Sequence, residues 1–149
     1  MLPTDFSECS ASAFEYASTF AVMYNANLHI LHVAKEEHHN GAAPELEIRD
    51  FVKKILPYQK KIVESVRYGQ PYREIVDYAR AEDIDLIVIA THGRTGLTHM
   101  VMGSVAEKIV RFSPVPVLTI KPAKDGAEIF SDDSSKRLAL EKDLSEHTA

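Results

Sequence analysis

One segment of the chain combines the residue types that hold an anionic ligand. Residues 90–96 follow a short apolar run and read Ala-Thr-His-Gly-Arg-Thr-Gly. Gly93 and Gly96 allow the backbone to approach a ligand with no Cβ in between. Arg94 offers a charged donor to a phosphate oxygen, and His92 could contact the same group. The segment therefore predicts an anion-binding loop, although glycines also simply turn chains.

Two further segments extend this predicted site. Gly103-Ser104 stands at a predicted helix start, where free N–H groups and the helix dipole favour phosphate. We expect the main-chain amides at Gly93 and Gly103 to be open to an anion. Pro3-Thr4-Asp5 stands directly before the first predicted helix. Asp5 could instead serve that helix as a cap, as could Ser7 or Ser10.

The elements that must position these segments alternate between strand and helix patterns. Predicted strands cover 28–33, 61–68, 86–90 and 117–120, and apolar residues at helical spacing mark 13–24, 48–55, 71–79 and 104–112. This alternation predicts an α/β fold with an open parallel sheet and helices on both faces. In such sheets a ligand binds beyond the carboxyl ends of the strands, where the strand order reverses.

Composition narrows the class of protein. The 149 residues fit one domain, and 45% of them are hydrophobic, enough for a core. A net charge of -5 argues against non-specific nucleic-acid binding. The longest apolar run, 86–90, is too short to span a membrane. The single cysteine and the acidic residues near the start fit a cytoplasmic protein rather than a secreted one.

Phosphate-binding motifs that support fast hydrolysis are absent from the sequence. There is no Gly-x-x-x-x-Gly-Lys-Ser/Thr and no Gly-x-Gly-x-x-Gly. Phosphate would be held mainly by backbone amides, and we identify no catalytic residue. His38 and His39 follow two glutamates, but no second ligand set has matching spacing, so we predict no metal site built from protein ligands alone.

Six blocks of the sequence together resemble the universal stress protein family across residues 1–121. In order, they are 3–7, 31–33, Gly69-x-Pro71, 91–96, 103–107 and 114–117. The resemblance implies a five-stranded parallel sheet in the order 3-2-1-4-5, as in adenine nucleotide alpha hydrolase-like folds. It also implies a homodimer through the edge strand Val115 to Ile120. The resemblance implies a full central strand at the start, whereas two residues precede Pro3, so we expect either that the chain is clipped there or that its start is misassigned.

The nucleotide-binding branch of that family has Gly-x-x-Gly, nine residues, then Gly-Ser/Thr. Gly93, the nine residues 94–102 and Gly103-Ser104 match its second half. The first glycine falls on Ala90. Alanine is small but does not take positive φ cheaply. We expect this position to need only a small side chain.

The resemblance implies ATP, with or without Mg or Mn, as the ligand. Asp5 would face the ribose or the adenine, the Val33 backbone would bond the adenine edge, and residues 90–96 would wrap the ribose and phosphates. The predicted nucleotide-binding residues are Pro3, Thr4, Asp5, Val33, Ala90, Thr91, His92, Gly93, Arg94, Thr95, Gly96, Gly103, Ser104, Val105 and Ala106. The last four would hold the phosphate tail.

Alternatives to a nucleotide-binding regulator of the stress response stay open. A protein–protein interaction module of the same fold would bind no nucleotide, and Ala90 and the short first strand favour it. The remaining alternative is an enzyme, such as an ATPase or a nucleotidyl-transfer enzyme, whereas the regulator itself would hydrolyse ATP slowly at most. Residues 122–149 form a charged C-terminal tail, either loosely attached or partly helical and docked.

Overall fold

Strands and helices alternate along the chain, as the sequence pattern predicts. The computed structural model describes residues 1–35, 43–55, 61–91 and 102–121. The elements are β1 (Leu2–Thr4), α1 (Glu8–Met23), β2 (Leu28–Ala34), α2 (Pro44–Ile55), β3 (Ile62–Tyr68), α3 (Pro71–Ala81), β4 (Ile87–Ala90), α4 (Ser104–Phe112) and β5 (Val117–Ile120). The predictions for 92–96, for His38 and His39, and for the tail at 122–149 lie outside the described residues.

The strands form a parallel sheet whose order reverses at β1. β1 pairs with β2 and β2 with β3, while β4 pairs with β5, all in parallel. The Val88 amide of β4 donates to the Met1 carbonyl oxygen at 2.9 Å, which places β4 beside β1. The resulting order, β3-β2-β1-β4-β5, confirms the predicted fold class. β2 and β3 lie on one side of β1, and β4 and β5 lie on the other side. Ligand-binding loops are expected at the carboxyl ends of β1 and β4, where the strand order reverses.

Two hydrophobic layers cover the sheet. Phe14, Ile30 and Ile48 belong to the layer beneath α1 and α2. Leu31 and Ile109 belong to the opposite layer, beneath α3 and α4. Ile30 and Leu31 are adjacent in β2, so their side chains face opposite sides of the sheet. Both side chains are fully buried. β2 is therefore covered on both faces, as parallel strands usually are.

A polar network lies between α3 and the sheet. The hydroxyl of buried Tyr78, on α3, lies 3.0 Å from His29 Nδ1 and 2.9 Å from Ser65 Oγ. The Arg67 guanidinium lies 5.4 Å from the centre of the same ring. These partners satisfy the Tyr78 hydroxyl, which would otherwise destabilise the packing of α3 against β2 and β3.

The network makes stability depend on pH. Burial, and after it the positive charge of the chain's amino terminus, lowers the pKa of His29 below its ordinary value of 6.5, and the charge of Glu82 partly offsets this shift. The unfolded chain then binds a proton at His29 more readily than the folded chain, so acid favours unfolding. We expect the free energy of unfolding to fall as pH drops through 6.5, and to fall less steeply in His29→Gln. Urea unfolding at several pH values measures both slopes, and equal slopes would contradict the prediction.

Candidate functional site

A cavity of about 420 Å³ lies where the strand order reverses. Ten of the predicted nucleotide-binding residues line it: Pro3, Thr4, Asp5, Val33, Ala90, Thr91, Gly103, Ser104, Val105 and Ala106. They come from the carboxyl ends of β1, β2 and β4 and from the start of α4. The remaining five, residues 92–96, lie outside the described ranges. The fold thus brings together segments that are about 12 to 100 residues apart in sequence.

Six further residues line the cavity that were not predicted as part of the site. They are Ser10, Leu31, Lys35, Pro71, Ile75 and Ile89. The alternation of a strand could have identified two of them, since Leu31 and Val33 share one face of β2 and Lys35, the residue after the strand, continues the same spacing of two. Pro71 and Ile75 come from the first turns of α3. Pro71 and Ile75 line the cavity because of the way α3 packs on the sheet, and this packing cannot be predicted from the sequence of α3 alone.

The N-terminus of α4 opens on the cavity. Gly103 is its N-cap residue, has φ -71° and ψ 151°, and provides no side-chain cap. The amides of Ser104, Val105 and Ala106 precede the first intrahelical hydrogen bond, which the Glu107 amide donates to the Gly103 carbonyl at 2.9 Å. All three of these residues line the cavity. Three first-turn donors and the positive end of the helix dipole thus border one hollow.

The prediction that the Gly103 amide is open to an anion is wrong. This amide donates to the Thr91 carbonyl oxygen at 2.6 Å. The amide of an N-cap residue precedes the first turn of the helix, and the Gly103 amide lies beside Thr91, the residue that follows β4. Thr91 is buried, so its carbonyl needs a donor from the protein. An anion at this helix would therefore have to bind the amides of Ser104, Val105 and Ala106.

The residues after β1 form a hydrogen-bonded turn that starts α1. Ser7 is the N-cap of α1, and its hydroxyl oxygen accepts from the Ser10 amide at 3.1 Å. Asp5 Oδ1 accepts from the Ser7 amide at 3.1 Å and the Ser7 hydroxyl at 2.5 Å. Ser7, rather than Asp5 or Ser10, is therefore the cap. Asp5 orients that cap while also lining the cavity.

Thr4 contributes to the site with its hydroxyl already engaged. Thr4 Oγ1 accepts from the Phe6 amide at 3.1 Å and lies 3.0 Å from Ser10 Oγ. Ser10 Oγ in turn donates to the Ser7 carbonyl at 2.8 Å. These bonds hold the turn after β1 together, so the Thr4 hydroxyl is a structural group.

Ala90 has an ordinary strand conformation. It is the last residue of β4, pairs with Ile120 and is buried. It is not among the non-glycine residues with positive φ. The conformation that glycine adopts more cheaply is therefore not required at this position.

The cavity wall is apolar on one side and polar on the other. Leu31, Val33, Ile75 and Ile89 form the apolar part. Within the described lining, the charged side chains are those of Asp5 and Lys35. A flat apolar group would fit against the first part and a phosphate against the helix start. This is the usual composition of a small-molecule site: apolar walls with a few placed polar groups.

The described part of the chain has neither a cluster of metal-ligating side chains nor a membrane-spanning helix. Residues 1–35, 43–55, 61–91 and 102–121 contain no group of three or more His, Cys, Asp or Glu side chains that could hold a metal ion. Nor does any helix in these ranges have the length and apolar character needed to cross a bilayer. Asp5 is the one acidic residue in the described lining of the cavity, so a divalent cation bound there would depend on ligand oxygens.

The fold and the cavity define a class: open-sheet α/β proteins with a cavity where the strand order reverses. Within that class, the family model for the universal stress protein family matches residues 1–121. The chain belongs to this family.

Individual relatives agree with the family match. The chain is similar to universal stress protein MJ0531 of Methanocaldococcus jannaschii, with 30% identity over 83% of this chain and 82% of the relative. The solved structure of MJ0577, from the same organism, superposes with a TM-score of 0.71 at 28% identity, over 83% of this chain and 95% of that one. A family member from Arabidopsis thaliana superposes with a TM-score of 0.60 at 22% identity, over 89% and 95%.

Proposed function

We propose that this protein binds an adenine nucleotide, with ATP as the ligand, and acts as a regulator in the stress response. One observation carries the proposal. The first turn of α4 has no side-chain cap, and its three donor-bearing residues line a cavity at the reversal point of the sheet. Phosphate satisfies such donors and interacts favourably with the helix dipole. Residues 92–96 are proposed to wrap the ribose and phosphates.

The apolar wall supports a nucleoside at the other end of the ligand. Val33 is the next-to-last residue of β2, and its backbone is proposed to bond the adenine edge. Leu31 and Ile75 are buried and offer dry surface to a base. Asp5 would face the ribose. The cavity of about 420 Å³ falls in the range of sites that enclose small ligands.

Relatives of the same fold are compatible with this ligand class. The Arabidopsis thaliana structure has AMP bound. At 22% identity that likeness shows the fold alone, so the proposal rests on the cavity of this chain.

Calorimetry with ATP and MgCl2 tests the proposal. We expect saturable heat and a thermal shift, and we expect nucleotide to be released from purified protein on denaturation. Neither heat nor a thermal shift at millimolar ATP would reject it. Turnover is expected to be slow at most, because Asp5 is the one carboxylate in the described lining of the cavity. Sustained phosphate release that Asp5→Ala removes would indicate an enzyme instead.

A second candidate is a protein–protein interaction module that binds no nucleotide. The bond from the Gly103 amide to the Thr91 carbonyl favours it, since one predicted anion donor is already used. Protein that purifies without nucleotide and shows no thermal shift with ATP would support this reading.

We also propose a homodimer through the edge strand Val115 to Ile120. The carbonyls of Pro116 and Ile120 accept from β4, so the backbone groups of Val117 and Thr119 face away from it. Such an edge can pair with a second copy. We expect Thr119→Pro, which removes one outward N–H, to shift the protein toward monomer in sedimentation, whereas Thr119→Val leaves the dimer intact. An unchanged dimer in Thr119→Pro would contradict pairing through this edge.

A further inference from the structure

A side chain outside the cavity contacts the segment that carries Asp5. His32 lies on β2 next to Val33, on the opposite strand face, and is the register partner of Thr4. Its Nδ1 lies 2.9 Å from the Thr4 carbonyl oxygen. A carbonyl oxygen only accepts, so Nδ1 carries a hydrogen and donates it. His32 thereby holds the peptide that joins Thr4 to Asp5.

The same imidazole contacts the residue on the other side of Asp5. It stacks on the Phe6 ring, with centroids 4.2 Å apart and planes 26° apart. Phe6 has φ 62°, a left-handed conformation that a non-glycine residue keeps only where its surroundings hold it. The Phe6 ring also packs against Phe51 of α2, at 5.3 Å. His32 therefore contacts both neighbours of Asp5 in the chain.

We propose that His32 is a positioning residue for the ligand cavity. By donating to the Thr4 carbonyl, it sets the backbone of Asp5, and hence the carboxylate that lines the cavity, while its stacking on Phe6 contributes to the stability of the turn. The ligand part of this inference rests on the proposed nucleotide binding. His32 acts through Asp5 and does not itself line the cavity.

Two substitutions separate the hydrogen bond from the ring stacking. His32→Phe keeps a ring to pack on Phe6 but has no donor for the Thr4 carbonyl. His32→Asn loses the ring, but its side-chain amide places a donor near the position of Nδ1. Both variants are expected to lower Tm, for different reasons. His29→Asn, on the other face of the same strand, controls for loss of a histidine from β2.

Among these variants, ATP affinity is expected to depend on whether a donor to the Thr4 carbonyl is present, and not on how far Tm falls. We expect His32→Phe to raise the Kd for ATP roughly tenfold, the equivalent of one hydrogen bond. We expect His32→Asn and His29→Asn to bind ATP much as the original protein does. Equal weakening in His32→Phe and His32→Asn would show a structural role only and would overturn the proposal.

A measurement without ligand keeps the two proposals distinguishable. In nitrogen-15 NMR of the ligand-free protein, we expect the Asp5 backbone amide resonance to move in His32→Phe and to stay near its place in His32→Asn. The same resonance position in all three proteins would overturn the positioning role. If the original protein binds no ATP, the proposed function fails, and the Asp5 resonance alone decides the role of His32.

Discussion

Gly103→Val is expected to abolish ATP binding while leaving the protein folded. Gly103 is the N-cap of α4 and lines the cavity beside the first-turn amides. A valine there would place two methyl groups over the path by which phosphate reaches the amides of Ser104 and Val105. A hydrogen bond to a charged group contributes ~1.5–3 kcal/mol, so losing two raises Kd by roughly 100-fold or more.

The backbone at Gly103 makes this variant a clean test. Its φ of -71° and ψ of 151° are extended values that valine adopts readily. Glycine is a better N-cap than valine, so a stability loss of about 1 kcal/mol is expected. Gly103→Ala, with a single methyl group, is the matched control and should bind ATP with intermediate affinity. Calorimetry measures Kd and circular dichroism checks the fold. Wild-type affinity in Gly103→Val would refute phosphate binding at this helix.

Phe14→Ala is expected to lower the free energy of unfolding more than Gly103→Val or Tyr16→Ala does. Phe14 is 2% exposed on α1 and belongs to the hydrophobic layer between α1, α2 and the sheet. Its ring meets the Phe51 ring edge-on, with centroids 6.0 Å apart. Removing a buried phenylalanine side chain loses its burial and leaves a cavity, which together cost ~3–5 kcal/mol.

Tyr16→Ala provides the control for Phe14→Ala on the same helix. Tyr16 is 50% exposed, so its removal should change the free energy of unfolding by about 0.5 kcal/mol or less. Urea unfolding of both variants measures the difference. A loss below about 1 kcal/mol in Phe14→Ala would mean that the layer relaxes around the missing ring, and would contradict the packing described here.

Strand β4 shows why the elements could be predicted. The run at 86–90 is apolar throughout, and the structure places β4 at Ile87–Ala90, buried along its length. A central parallel strand is covered on both faces, so every side chain must be apolar, and that requirement is visible in a short stretch of sequence. Helix α4 could also be predicted from local sequence, because its apolar residues recur at helical spacing. Its predicted bounds, 104–112, match those observed.

The candidate site was only partly predictable, and Gly103 shows the limit. Residue type and position indicated a helix start suited to an anion, and Gly103 does line the cavity. The acceptor of its amide, Thr91, is twelve residues earlier in the chain and became a neighbour only through folding. Pro71 and Ile75 escaped prediction for the same reason, since the packing of α3 brings them to the cavity.

The succession of strands and helices along the chain could be predicted from local patterns, because period and apolar content are local properties that burial imposes on each element. The six matching blocks of the sequence also indicated the family, which the family model confirms over residues 1–121. The tertiary structure alone decided which amides at α4 stay uncapped, which residues complete the cavity wall, and that His32 contacts both neighbours of Asp5. These features depend on hydrogen bonds and contacts between segments far apart in the chain, whose distances are set by packing.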